Sequence, residues 1–117
     1  MQILEWVTTI ALIAGIGMPG VMKLMRNQMS VEMAEKLDYT NLMMPIGVAE
    51  VAGAIGVLIG ALSSDLEWIG VLAAVGIIAL MIGAQIYHRR AGDTREAIPS
   101  LVLLVLAVLY IVALFGN

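Results

Sequence analysis

Glu50 stands inside an apolar run, Leu42 to Leu62, that is long enough to cross a bilayer. A carboxylate at that depth costs about 2.5–3.5 kcal/mol on insertion scales unless it faces a partner or a cavity. Its type and place point to a polar site inside a bundle of membrane helices. Three uses suit it. It could hydrogen-bond the polar head of an amphiphile, transfer a proton, or bridge two helices with no ligand.

Four other side chains could meet it. Lys23 ends the first apolar run on a flexible stem, and Gln85, Tyr87 and His88 close the third. At 1.5 Å per residue, Glu50 lies about 12 Å in from the same side. Each of the four also has a plain structural use. Lys23 suits a snorkelling anchor. His88, beside Arg89 and Arg90, suits the membrane interface, and Tyr87, Trp6 and Trp68 suit an aromatic belt. Gln85 suits an interhelical hydrogen bond.

Much chemistry is excluded. The chain has no cysteine, which removes disulfides, thiolate metal sites and thiol catalysis. One histidine and one inward carboxylate make no metal site. A b-type haem wants more than one buried axial candidate. No P-loop, glycine fingerprint or Ser-His-Asp set stands in a suitable context. The nine methionines read as flexible packing. Six Lys and Arg without a dense basic stretch make a poor surface for nucleic acid.

The elements that must position these residues are all-α. The 117 residues suffice for a single domain, and 62% are hydrophobic against 13% charged. An ordinary soluble domain carries about a quarter charged residues. Such a chain needs lipid as its solvent. Four stretches reach the roughly 20 residues a span requires, at about 3–25, 42–62, 66–87 and 97–115. We expect a transmembrane four-helix bundle. The first stretch lacks a basic leader and a clean cleavage site, so it reads as a retained span. Pro19, Pro45 and Pro99 are expected near helix ends.

Ser63-Ser64-Asp65 is a tight turn, which makes the second and third helices antiparallel neighbours. Between Arg26 and Asn41, the pattern of Met33, Ala34 and Leu37 suits a short interfacial helix, and a solvated loop fits equally. Lys23, Arg26, Lys36, Arg89, Arg90 and Arg95 all fall on one side of the four spans. The positive-inside rule makes that side cytoplasmic and both termini extracytoplasmic, in an inner (plasma) membrane. On the second helix, Ala49, Gly53, Ala54, Gly56, Gly60 and Ala61 gather on the side of Glu50, while Val48, Val51, Ile55, Leu58, Ile59 and Leu62 take the other. Small residues favour close helix packing, so that side should face protein. The fourth helix reads as a lipid-covered packing helix.

These residues resemble the DoxX-like membrane protein family. Gly20-Val21-Met22-Lys23-Leu24 is similar to its GxxKL element, and Leu37-Asp38-Tyr39 to its L-G-Y, with Asp38 in place of Gly. Pro45-x-Gly47-x-x-Glu50-x-x-Gly53-x-x-Gly56-x-x-x-Gly60 resembles its most characteristic stretch. Met81-x-x-Ala84-x-x-x-His88 is similar to its third-helix ending, and Pro99 opens the fourth helix. The resemblance covers nearly the whole chain. It implies a compact four-helix bundle, with Lys23, Glu50 and His88 as shared positions. Some relatives are named for thiosulfate:quinone oxidoreductase subunits, and others occur with redox or stress-defence proteins.

Three functional readings follow. The leading one is an accessory inner-membrane subunit that binds a small lipophile, a quinone being the candidate cofactor, or docks a redox protein. Lys23, Glu50, Gln85, Tyr87 and His88 would line that site. The second is a small membrane enzyme in which Glu50, with His88, moves a proton on a lipophilic substrate. The third is a transport or proton-relay module, which needs homo-oligomers to form a path. The bilayer is a partner in all three.

Overall fold

The computed structural model describes residues 3–37, 39–92 and 97–115. Asp38 and Arg95 lie outside the described residues. Four helical segments are long and apolar enough to cross a membrane: Ile3–Leu24, Thr40–Leu62, Ser64–Arg90 and Ile98–Phe115. Among the described residues there is no strand. The third span runs on through His88, Arg89 and Arg90, three residues beyond the expected end. The molecule is 42 Å long, close to the thickness of a bilayer with its headgroups.

The first span has three parts, α1 (Ile3–Leu12), a π turn (Ile13–Gly17) and α2 (Met18–Leu24). Pro19 sits inside this span, at the start of α2. It has no N–H to give the carbonyl one turn back, and the wider π turn falls where that rung is missing. The short helix is real: α3 spans Gln28–Leu37. Then come α4 (Met43–Leu62), α5 (Glu67–Arg90) and α6 (Ile98–Phe115). In α5, Glu67 occupies the first turn and Arg89 and Arg90 the last, each sign complementing the helix dipole.

The end of α2 is a Schellman motif. Arg26 N–H donates to Lys23 O at 3.1 Å and Asn27 N–H to Met22 O at 3.0 Å. Its left-handed position, φ 56°, is taken by Arg26 rather than glycine. Asn27 then starts α3, its Oδ1 accepting the Met29 N–H at 2.9 Å.

The spans close a ring. α4 packs along α5 and α5 along α6, while the first span leans its α1 half on α6 and its α2 half on α4. The ends of α2 and α5, the start of α4 and the whole of α3 therefore share one end. Lys23, Arg26, Lys36, Arg89 and Arg90 all lie there, and we call it the basic end. Asp65 and Glu67 lie at the other.

The middle of the bundle is an apolar core that includes Leu12, Ile16, Val57, Ala74, Ile77, Met81 and Ala107. The small face of α4 turns inward as expected at Gly53, Ala54, Gly56 and Gly60, all buried. Ala49 is exposed instead, and Val51 packs toward Gly20 of α2. Gly20 has no side chain to hold Val51 away. Nor is α6 merely a packing helix: its buried Tyr110 reaches across the bundle and donates to Val57 O at 2.7 Å.

Candidate functional site

Two glycines bring the site together. Where α2 crosses α4, a Cβ on Gly20 would stand 3.1 Å from Gly47 O and 3.0 Å from Glu50 Cβ. A Cβ on Gly47 would stand 3.0 Å from Lys23 Cβ. Bare backbone at both positions permits this approach. Lys23 and Glu50 each lie three residues after one of these glycines, on the same helical face. Lys23 Nζ donates to Glu50 Oε1 at 2.7 Å. The two side chains are only 13% and 7% exposed.

A cap lies beside this pair. Ala34 of α3, Tyr39 and Met43 are buried together, with Val31, Met33, Ile46 and Tyr87 packed around them. The rings of Tyr39 and Tyr87 meet at 5.8 Å with a 57° tilt. Burial pushes the Tyr39 phenol above its usual range, and the negative charge of Glu50 adds to that shift.

Of the five residues expected at the site, Lys23 and Glu50 meet directly, and Tyr87 packs in the cap against Tyr39. His88 is half-buried in the last turn of α5, with Nδ1 turned away from solvent. Gln85 is engaged elsewhere. Its Nε2 donates to Ala97 O at 2.6 Å and to Ser100 Oγ at 2.7 Å, tying α5 to the start of α6. Its Oε1 accepts from Arg89 Nε at 3.4 Å. Among the described residues, no three of His, Asp and Glu gather to hold a metal.

A second polar cluster went unnoticed in the sequence. Glu5 is 5% exposed, and Thr8 and Thr9 beside it are buried. Thr8 Oγ1 donates to Leu4 O and Glu5 O, and Thr9 Oγ1 to Glu5 O at 2.6 Å. The available signal was an acid three and four residues ahead of two threonines in an apolar run.

Two open apolar grooves run along the lipid-facing side. One, of about 610 Å³, follows the seam of the first span and α4, past Ile13, Ala14, Gly17, Met22, Val51 and Ala54. The other, of about 640 Å³, lies between α4 and α5 and is lined largely by alanine and glycine. Neither is lined by Glu50, Lys23 or His88.

Fold and site thus define a multi-pass, all-α membrane protein with a buried ion pair at one end of its bundle. The profile of the DoxX-like family matches residues 7–110, and the chain belongs to that family. No curated protein and no solved structure matches it.

Proposed function

We propose that the protein is a non-catalytic, accessory subunit of the inner membrane that holds a small lipophile for a redox system. The lipophile is of the quinone class, a ring carrying hydrogen-bonding carbonyls on an apolar tail. Its termini are extracytoplasmic and its basic end is cytoplasmic. The observation that carries this reading is the buried pair of Lys23 and Glu50, 2.7 Å apart at the basic end. It offers an N–H donor and a carboxyl in a place where an ion pair adds little net stability over apolar packing.

The groove along the first span supports the same reading. Its volume falls within the range of small-molecule sites, about 300–1,000 Å³. At one end it is bounded by Met22 and Val51, the chain neighbours of Lys23 and Glu50. A tail in the groove would leave its head at the crossing of α2 and α4. The test is extraction of gently purified protein and mass spectrometry of the lipophiles that co-purify. Glu50→Gln should fold yet lose the ligand. Ala14→Leu, which fills the groove from an exposed position, should lose it too. A folded Glu50→Gln variant with unchanged ligand content would leave the pair as a bolt between helices.

A further inference from the structure

We infer that α3 and Tyr39 form a cap that swings open as one body, giving a polar head group access to Lys23 and Glu50 from the surface of the basic end. The access clause rests on the function proposed above, whereas the opening itself does not.

Four observations support it. First, the cap is seated on α4 through a small apolar cluster of Ala34, Tyr39 and Met43, separate from the cluster that holds the spans together. A unit with few buried contacts opens at lower free energy than the body it rests on. Second, Tyr39 belongs to α3 mechanically, since its N–H donates to Ala34 O at 2.9 Å. Third, the turn into α3 holds Arg26 in the left-handed region at φ 56°, a conformation that stores strain in a residue with a side chain. Fourth, the outer face of α3 is polar, with Gln28 bonded to Glu32 at 3.1 Å and Glu35 exposed, so it stays solvated whether the cap is docked or open.

The cysteine-free chain allows a clean test by thiol labelling. Met43→Cys reports from the floor of the cap, where Met43 is 1% exposed in the native protein. Adding Ala34→Glu or Tyr39→Ala should accelerate its labelling by N-ethylmaleimide about tenfold. Gly60→Ala, which crowds Gly70 and loosens the bundle away from the cap, should leave that rate unchanged. Two cap variants are used in case one fails to fold. Acceleration by Gly60→Ala as large as that by the cap variants would show that cap and bundle open only together. An unchanged Met43→Cys rate in both cap variants would show that α3 is not what covers it. Labelling needs no ligand, so failure of the lipophile reading would leave this result standing.

Discussion

The Lys23–Glu50 pair sets the energetics at the residue scale. Removing one partner leaves the other buried without its counter-charge, so Glu50→Ala should destabilise by about 3–5 kcal/mol. The 13% exposure of Lys23 places the value toward the lower end. Replacing both together, Glu50→Leu with Lys23→Met, should recover most of that loss. A double-mutant cycle in detergent unfolding checks this, and additive losses would mean the two side chains do not act as a pair. Tyr39 makes a separate prediction. Its phenol should ionise above the ordinary value of roughly 10, seen as the absorbance difference between wild type and Tyr39→Phe on alkaline titration. The sign is that of a raised native pKa. The contribution to cap stability is complete below the unfolded value and is lost as pH rises through the native one. Glu50 was legible in the sequence because a carboxylate inside an apolar span has no cheap explanation. Lys23 was legible only as a side chain with the reach to meet it. Glu5 was not, because an acid near a span end looks like an interfacial residue, and only packing reveals its burial.

Glycines and turns decide stability at the level of the elements, and position separates those that matter. A Cβ on Gly60 would stand 2.5 Å from Gly70 Cα, whereas one on Gly76 would meet nothing within 4 Å. Gly60→Ala should therefore cost about 1–3 kcal/mol, and Gly76→Ala should be neutral or stabilising by up to about 1 kcal/mol. Thermal unfolding of the two variants tests the assignment, and similar midpoints would refute it. Arg26→Gly should stabilise the α2–α3 connection by about 1 kcal/mol, because glycine takes a left-handed φ without a Cβ clash. The four spans and their rough limits were readable from hydropathy alone. The π turn was not, since proline near a helix end and proline after a widened turn look alike in sequence. The inward face of α4 was readable in outline. Helical-wheel spacing missed Ala49 and Val51 because the neighbouring helix, approaching over Gly20, fixes which edge of that face is covered.

For the whole molecule, hydropathy and charge gave the class of protein, but the order of helices around the ring came only with the structure. The five described basic residues share one end, which supports the proposed orientation. Reporter fusions should show cytoplasmic activity when placed within α3 and none at Ser64 or the C-terminus; cytoplasmic activity at the C-terminus would invert the topology. The layer between the two polar clusters has an electrical meaning. Leu12, Ile16, Val57 and Ile77, each at most 1% exposed, separate Glu5 from Glu50 along the bundle. The Tyr110 hydroxyl nearby is already committed to Val57 O. A membrane potential, about 2.3 kcal/mol per charge for each 100 mV, would fall across this layer as it does across lipid. A single bundle is then a dielectric plug rather than a wire. Vesicles carrying the protein should hold a pH gradient as long as protein-free ones do, and a faster decay would mean that this layer is not closed to charge.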